Sequence, residues 1–566
     1  MISFWALALA RQPNVMARMG PLRRGPGLCE AGAVRQQQRR GLEHGAAIHG
    51  VVASVFRMVR QMPQPAWPGL VRGMEMMTLP PLPALSRRSR TGLERDVANA
   101  LGPAPGGGSG VALMPDAGVA FGVRAASARA AGRSLDLQYY MWRGDVTGQL
   151  LAQEVLEAAD RGVTVRLLLD DVYALGPERT LAALDAHPRI EVRLFNGTRW
   201  RRFGRIGFLL ELAFGGWHLN RRMHNKSWIA DDCLAVVGGR NLGDDYFGLA
   251  TRDSIHFRDL DLMIAGPAAH QATRVFNRYW NSPLARAAEL AAATAERAGG
   301  LPALRAVLAD ADDRPAADAL LARAGLPLLD QLDLTLVPPR AIEVVADPPE
   351  KARRGLRARK LARAAGGIAA EIADALRLAE REALLISPYF VPGRAGLRLI
   401  GELRARGVRV SVITNSLAAT DVVAVHGGYA KYRRALLGMG VTLFELKPHW
   451  QDASPSLLGS RGAALHTKAF AVDGKLGFVG SFNLDPRSAA LNTEMGAFVR
   501  DTGIAAGIAA EHARLADPAA SWQVVLEAGA LAWRDGAAPA PREPGAGLWR
   551  RLLAGLVRRL PLEEQL

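Results

Sequence analysis

Of the 566 residues of the chain, 49% are hydrophobic and 22% are charged, a balance typical of folded proteins. A chain of this length is too long for one ordinary hydrophobic core, so we expect at least two domains. The chain has only two cysteines, Cys29 and Cys233, which are too few for a disulfide framework. It has no uninterrupted run of 18 or more apolar residues, so we predict no transmembrane helix. The net charge of +17 favours an anionic partner, either nucleic acid or an anionic membrane surface.

The N-terminal stretch, residues 1–76, is rich in Arg, Gly, Pro and Gln. The first 100 residues hold 14 arginines and 5 acidic residues, so more than half of the excess positive charge lies there. This composition predicts a disordered extension. The methionines at positions 74, 76 and 77 leave open that translation starts after it. The apolar segment Met1–Ala10 precedes the first arginine, so we predict no export signal.

Helix-like and strand-like segments alternate from about residue 111. Ser134–Tyr140 and Val163–Leu169 have strand character, and Leu150–Asp160 between them has helical spacing. The pattern then repeats, since Arg161–Arg166 (RGVTVR) returns as Arg406–Ser411 (RGVRVS). The chain is therefore predicted to be two tandem α/β repeats, each a mixed sheet flanked by helices, with one shared site at a pseudo-twofold interface.

These observations divide the chain into five predicted segments. They are the extension 1–76, the first half 77–284, a Pro- and Ala-rich connector 285–341, the second half 342–516 and a C-terminal tail 517–566.

Each half contains the pattern HxKxxxxD followed by GxxN. The residues are His224, Lys226, Asp231 and Asn241 in the first half, and His466, Lys468, Asp473 and Asn483 in the second. Residues two apart on a strand share a face, so the His and Lys of each copy point the same way. The glycine is expected to allow a tight turn that returns the Asn to that place. One such pattern is often chance, whereas two matched copies indicate a functional site.

Two His, two Lys and two Asn in one cleft suit a phosphodiester. Ammonium and amide groups neutralise the oxygens of a five-coordinate phosphoryl transition state, while one His attacks phosphorus and the other transfers protons. This chemistry needs no metal or cofactor. Asp259 and Glu494 occupy equivalent places after the two motifs and are expected to orient the histidines. Asp231 and Asp473 are expected to be structural.

At these residues the sequence resembles the phospholipase D superfamily, and within it the C-type bacterial cardiolipin synthases. The resemblance runs from about Leu79 to the C-terminus and is carried by the two motifs and by the strings Arg222–Ser227, Gly238–Phe247, Ser387–Pro392, Thr414–Asp421, His426–Tyr432 and Gly480–Ser488. It implies transfer of a phosphatidyl group, with phosphatidylethanolamine as donor, onto phosphatidylglycerol. It also implies His224 as nucleophile, His466 as acid/base, and Asp259 and Glu494 as their partners.

Two segments are candidates for membrane contact. The C-terminal helix has Trp549, Leu552, Leu553, Leu556, Val557 and Leu560 on one face, with Arg550, Arg551, Arg558 and Arg559 on the other. Such a helix lies in an anionic lipid interface or packs on the protein's own core. Ile206–Trp217 is apolar but too short to span a bilayer, and forms either a core helix or a lip that enters lipid.

Three functions remain open on the sequence. They are a phosphatidyltransferase, a phospholipase D that uses water as acceptor, and a nuclease or nucleic-acid-binding protein. The third is the weakest, because no nucleic-acid-binding module is present and the excess charge lies largely in the N-terminal stretch. We expect phospholipid substrates and a peripheral position on the cytoplasmic face of the bacterial inner membrane.

Overall fold

The computed structural model describes residues 89–560, apart from 104–107, 175–177, 199–206, 208–209, 212–219, 250–254, 288–299, 313–319, 321–328, 330–331, 354–365 and 449–461. The predicted extension 1–76 and most of the apolar segment 206–217 lie outside the described residues.

The first half is built on a nine-stranded sheet. Its strands, together with the short strand β7, are β1 (Ser109–Met114), β2 (Ser134–Tyr139), β3 (Thr164–Asp170), β4 (Ile190–Phe195), β5 (Ser227–Ala230), β6 (Leu234–Gly238), β7 (Ile255–Arg258), β8 (Asp261–Ala265), β9 (Ala285–Ala287) and β10 (Thr335–Val337). The spatial order is β10-β1-β8-β6-β5-β2-β3-β4-β9.

The second half is built on a ten-stranded sheet. Its strands, together with the short strand β15, are β11 (Ile342–Ala346), β12 (Glu382–Ile386), β13 (Arg409–Asn415), β14 (Thr442–Leu446), β15 (Gly462–Leu465), β16 (Ala469–Val472), β17 (Leu476–Gly480), β18 (Met495–Val499), β19 (Ser521–Glu527), β20 (Ala530–Asp535) and β21 (Ala538–Ala540). The spatial order is β11-β18-β17-β16-β12-β13-β14-β19-β20-β21.

The two sheets share one topology over eight strands. The series β1-β8-β6-β5-β2-β3-β4-β9 matches β11-β18-β17-β16-β12-β13-β14-β19 strand for strand. In both, the three strands β2-β3-β4 or β12-β13-β14 are parallel, and their neighbours are antiparallel. The predicted fold, two tandem repeats with mixed sheets flanked by helices, is confirmed.

Helices flank the sheets, and two of them, His270–Trp280 and Thr502–Ala516, contribute to the core shared by the two halves. They are α1 (Gly92–Leu101), α2 (Ala117–Ala130), α3 (Val146–Asp160), α4 (Glu178–Asp185), α5 (Asp244–Phe247), α6 (His270–Trp280), α7 (Gly300–Asp312), α8 (Ile368–Arg377), α9 (Gly393–Ala405), α10 (Val423–Tyr429), α11 (Arg433–Gly438), α12 (Pro486–Ala490), α13 (Thr502–Ala516) and α14 (Leu548–Arg559). Aspartates begin several of them. Asp116 and Asp145, for example, accept hydrogen bonds from the backbone amides of Val119 and Gly148. None of the described helices is both long and apolar enough to cross a bilayer.

The segments predicted as connector and tail contribute to the sheets. Residues 285–341 supply β9 and β10, which occupy the two edges of the first sheet, and α7, which packs on α3 and α4. Residues 517–566 supply β19, β20 and β21, which extend the second sheet. The five predicted boundaries themselves stay a prediction.

A buried core joins the halves. It combines Ile229 and Val237 of the first half with Val479, Met495 and Ala497 of the second. Either half alone would expose this apolar surface to water, so the two halves are held together by the same hydrophobic effect that folds each of them.

Two matched hairpins carry the repeated motif. The turn between β5 and β6 has Asp231 and Asp232 at φ of 49° and 60°, and the turn between β16 and β17 has Asp473 and Gly474 at 53° and 65°. The carboxylate of Asp231 accepts from the backbone amides of residues 132–134, at 2.8–2.9 Å. That of Asp473 accepts from those of residues 380–382, each at 2.8 Å. Each aspartate therefore ties its hairpin to the start of the neighbouring strand.

The motif glycines do not form the tight turn that the sequence analysis expected. Gly238 and Gly480 are the last residues of β6 and β17, and neither has a positive φ. A Cβ on Gly238 would lie 2.1 Å from Asp261 Oδ1, and one on Gly480 would lie 2.5 Å from Met495 O. Glycine is therefore required because the next strand passes too close for a side chain.

One residue of α14 lies on a different face from the one expected. The sequence analysis placed Arg550 on the polar face, and Val557 on the apolar face, for which lipid contact and packing on the protein were both open. In the structure both are buried against the protein, and Arg550 Nε donates to Leu417 O at 2.9 Å. Helical periodicity distinguished a polar face and an apolar face of this helix. In the structure, the face that packs on the protein includes Arg550 and so matches neither of them.

Asp473→Asn should lower the free energy of unfolding by about 1–3 kcal/mol at neutral pH, because the amide NH2 replaces an oxygen that accepts from the backbone. Burial opposes ionisation, but the backbone amides of Glu382, Glu380 and Arg381 outweigh it and lower the pKa of Asp473. This stabilisation is present above the ordinary aspartate pKa and is lost as the pH falls through the folded-state value, so the difference should shrink below pH about 4.

Chemical denaturation at several pH values measures this difference. Asp374→Asn is the matched control, since Asp374 is 75% exposed and pairs only with Arg377, and it should change stability little. An equal effect of both substitutions would contradict the assignment.

Candidate active site

Backbone pairing between the halves positions both motif histidines. Met223 forms a parallel bridge with Thr493, and His224 N donates to Thr493 O at 2.8 Å. In the other half, β15 pairs in parallel with β7, and His466 N donates to Arg258 O at 2.7 Å. Each histidine therefore lies beside the segment that leads to an acid of the opposite half, Glu494 for His224 and Asp259 for His466.

The histidine–carboxylate pairs consequently cross between the halves. His224 Nδ1 lies 2.8 Å from Glu494 Oε2, and His466 Nδ1 lies 2.5 Å from Asp259 Oδ2. All four side chains are buried. A carboxylate on Nδ1 fixes the orientation of the ring and leaves Nε2 as the reactive nitrogen. The structure thus brings together the four residues that the sequence analysis named, and adds the partner of each.

The two carboxylates have unequal surroundings. Glu494 accepts from the hydroxyls of Ser481 at 2.5 Å and Ser488 at 2.9 Å, in addition to His224. Asp259 accepts from the backbone amide of Leu260 at 2.9 Å. The residue equivalent to Ser481 is Gly239, where a Cβ would lie 2.5 Å from Asp259 Oδ1.

The surroundings shift the pKa values of the two acids in opposite directions. Burial acts to raise the pKa of Glu494, but His224, Lys226 and the Ser481 hydroxyl outweigh it and hold that pKa below the ordinary value. Burial raises the pKa of Asp259, although Lys468 and Arg240 oppose the change. Glu494 is therefore the more strongly ionised acid, and Asp259 the one that more readily holds a proton.

Burial favours the neutral form of both histidines in the free site. Burial lowers the pKa of His224 to about 4, against the opposing charge of Glu494. Burial, together with the cations Lys468 and Lys226, lowers the pKa of His466 well below its ordinary value. With its Nδ1 proton donated to ionised Glu494, His224 presents a free lone pair on Nε2.

The two motif lysines are buried beside the histidines. Lys226 Nζ donates to His224 O at 2.7 Å, and Lys468 Nζ donates to His466 O. Burial lowers the pKa of Lys468 to about 8 and that of Lys226 well below its ordinary value. An anion entering the cleft would favour the charged form of both lysines.

The motif asparagines retain unused hydrogen-bonding capacity. Asn241 Nδ2 donates to the Tyr246 hydroxyl at 2.9 Å. Within the described part of the chain, Asn241 Oδ1 and Asn483 Oδ1 are buried without a hydrogen-bond partner. An amide rotated by 180° presents its NH2 group at the same place, so each asparagine can offer a hydrogen-bond donor to a ligand.

Asp170 and Asn415 hold the segments that precede the histidines, and the motif pattern gives no sign of them. Asp170 ends β3 and accepts from the amide of Met223 at 2.9 Å. Asn415 ends β13 and accepts from the amide of Leu465 at 2.8 Å. Their shared position at the ends of equivalent strands is the signal that could have identified them.

Aromatic side chains line the same cleft. The rings of Tyr140 and His224 are 5.0 Å apart, and those of Tyr246 and His466 are 5.2 Å apart. Among the described residues, no group of three or more His, Cys, Asp or Glu side chains is arranged to hold a metal ion.

Comparisons with known proteins give the family of the chain. A family model described as "Cardiolipin synthase, PLD-like domain" matches residues 126–280 and 372–516. The chain is 37% identical to Cardiolipin synthase C from Escherichia coli (strain K12) over 468 residues, which is 78% of this chain and 93% of that protein. It is 30% identical to an uncharacterized protein from Helicobacter pylori (strain ATCC 700392 / 26695), covering 64% of this chain and 70% of that protein.

Among solved structures, the phosphatidylserine synthase of Haemophilus influenzae Rd KW20 matches with a TM-score of 0.49 and 14% identity, covering 75% of this chain and 91% of that one. The double match of the family model spans more than half of the chain, once in each structural repeat. The chain therefore belongs to the phospholipase D superfamily, among the cardiolipin synthase-like phosphatidyltransferases.

Proposed function

We propose that this enzyme makes cardiolipin by transferring a phosphatidyl group from phosphatidylethanolamine to phosphatidylglycerol through a phosphohistidine intermediate. The observation that carries the proposal is the pair of crossed histidine–carboxylate contacts, at 2.8 and 2.5 Å, with a buried lysine beside each. The relative named Cardiolipin synthase C supports the choice of product. We propose catalytic roles for His224, Lys226, Asn241, Asp259, His466, Lys468, Asn483 and Glu494, and structural roles for Asp231 and Asp473.

In the first step, Nε2 of His224 attacks the phosphorus of the donor lipid. The bond between phosphorus and the headgroup oxygen breaks, and that oxygen takes a proton from Nε2 of His466 while the proton held by Asp259 moves to Nδ1 of the same ring. Ionised Glu494 stabilises the positive charge that develops on His224. The raised pKa of Asp259 favours retention of the transferable proton within the His466–Asp259 pair.

In the second step, a hydroxyl of the acceptor lipid attacks the same phosphorus. Its proton passes to His466, and the bond between phosphorus and His224 breaks. The second phosphodiester is then complete and both histidines return to their starting states. Over the two steps the enzyme neither gains nor loses a proton, because the proton given to the first headgroup is replaced by the proton of the acceptor.

Lys226, Lys468, Asn241 and Asn483 bind the phosphoryl oxygens in both steps. Their charges and dipoles are already in place before the reaction, in a buried site where water does not screen them. The unpartnered amide ends of Asn241 and Asn483 support this role.

Both substrates are membrane lipids, so the enzyme must reach a phospholipid surface. We propose that it binds this surface peripherally, on the cytoplasmic face of the bacterial inner membrane. The net charge of +17 supports attraction to anionic lipid.

Expression in bacterial cells that lack cardiolipin tests the function. Lipid extraction and thin-layer analysis should show cardiolipin with the unmodified chain and none with His224→Ala or His466→Ala. His270→Ala is the control, since the His270 side chain is 55% exposed and pairs with Asp232 outside the site. Phosphatidic acid in place of cardiolipin would indicate hydrolysis, and nucleic-acid cleavage alone would exclude a lipid substrate.

Trapping the intermediate tests the assignment of the nucleophile. Rapid denaturation during turnover, followed by peptide mass analysis under neutral conditions, should find a phosphatidyl adduct on the peptide that contains His224. Glu494→Gln should lower the amount of adduct formed in a single turnover about a hundredfold, because a neutral amide no longer stabilises the charged imidazole. An adduct on His466 would reverse the two roles.

The pH dependence of kcat/KM tests the role of Lys468. Its pKa is about 8, so the cation is present below that pH and is lost as the pH rises through it. We expect kcat/KM to fall above pH about 8, and Lys468→Arg to move that fall to higher pH while lowering the maximum. Lys475→Arg makes the same change at an exposed residue and should leave the profile unmoved. A fall that stays in place in Lys468→Arg would assign it to another group.

A further inference from the structure

Helix α14 exposes a continuous apolar stripe. Leu548, Trp549, Leu552 and Leu556 are 71%, 66%, 54% and 55% exposed. Leu548, Leu552 and Leu556 follow at intervals of four residues, so they line one side of the helix, and Trp549 borders them. Elsewhere in the described chain, large exposed apolar residues are scattered at positions 336, 378 and 526. In contrast, α14 and the residue that follows it, Leu560 (38% exposed), together hold five large exposed apolar side chains.

The opposite side of α14 is fixed to the second half. Ala554 and Val557 are buried on α10, where a Cβ on Gly427 would lie 2.9 Å from Ala554 O. Arg550 is also buried, and donates to the carbonyls of Leu417 and Thr420. Because the opposite side of α14 is packed on the protein, the apolar stripe faces away from it.

Arginines accompany the exposed stripe. Arg551, Arg558 and Arg559 are exposed on α14, and this helix contains no acidic residue. Arg551 and Arg558 are seven residues apart, so they lie on the same edge of the helix, beside the leucines. An apolar stripe edged by arginines fits a surface with an apolar interior and negative headgroups.

The attachment of α14 leads directly to the catalytic cleft. The loop that accepts from Arg550 continues to Asp421, whose carboxylate accepts from the Tyr389 hydroxyl at 2.7–2.8 Å. The charge of Asp421 acts on Lys468 in the site and on Tyr246 of the first half. The loop that Arg550 holds therefore continues to a carboxylate that lies near Lys468 and Tyr246 of the active site.

We infer that α14 is the membrane-docking surface of this enzyme: Leu548, Trp549, Leu552 and Leu556 enter the interface of an anionic phospholipid bilayer, and Arg551 and Arg558 contact its headgroups. Arg550 and the loop 417–421 then hold the catalytic cleft at a fixed position relative to that bilayer. The inference rests on the proposed function only in its choice of a phospholipid surface.

Sedimentation with vesicles tests the surface without measuring turnover. The full chain should bind phosphatidylglycerol-containing vesicles, and Trp549→Ser/Leu552→Ser/Leu556→Ser should bind at least about tenfold more weakly, since three apolar side chains no longer leave water. The matched control is Leu336→Ser/Leu378→Ser, which alters leucines that are 51% and 66% exposed on other elements, and it should bind like the unmodified chain. Arg551→Gln/Arg558→Gln should weaken binding to anionic vesicles and leave binding to phosphatidylcholine vesicles unchanged.

Activity measurements separate failure of this inference from failure of the proposed function. In detergent-dispersed lipid the triple variant should retain the activity of the unmodified chain, whereas on vesicles it should lose at least about tenfold. Equal vesicle binding by the triple variant and the unmodified chain would overturn the inference even if both make cardiolipin. A change from dimer to monomer in the triple variant, without loss of vesicle binding, would overturn it in favour of a second copy of the chain on α14. Loss of vesicle binding in the triple variant supports the docking surface even if no preparation makes cardiolipin.

Discussion

The hydrogen bonds between each histidine and the carboxylate of the opposite half constrain the rest of the structure. An isolated buried carboxylate is strongly unfavourable, so Glu494 and Asp259 need their imidazole partners, which only the other half supplies. The two repeats must therefore meet in a single register. The bridge between Met223 and Thr493 and the pairing of β15 with β7 set that register, and the shared core between the sheets maintains it.

Pseudo-symmetry places equivalent groups at the site, and small departures from it give them different properties. Ser481 donates to Glu494 where the first half has Gly239, whose Cα lies too close to Asp259 for any side chain. The hydroxyls of Ser481 and Ser488 favour the charged form of Glu494, whereas burial favours the protonated form of Asp259. A reaction that needs one nucleophile and one proton donor requires this inequality, because two identical histidines would compete for the same role.

The sequence predicted the two repeats, because strand periodicity and matched spacing are properties of local sequence. It also named His224, His466, Asp259 and Glu494, which the structure pairs, while the catalytic roles of the site residues stay predictions. It did not predict which acid partners which histidine, since Asp259 and Glu494 align with each other and the exchange between halves is a property of the assembled fold. It was wrong about Gly238 and Gly480, whose requirement comes from a neighbouring strand. It misplaced Arg550 for a related reason, since periodicity separates polar from apolar faces but does not identify the face that packs on the protein.

The charge balance of the site indicates why it needs both burial and a substrate. Lys226 and Lys468 bring two buried cations to face the carboxylates Glu494 and Asp259, and the pKa of each lysine is lowered because burial disfavours its charged form. A phosphodiester adds the negative charge that restores this form, and it also supplies acceptors for the unpartnered amides of Asn241 and Asn483. The free site is thus electrostatically incomplete, and the transition state, which carries more negative charge on its phosphoryl oxygens than the bound lipid does, completes it best.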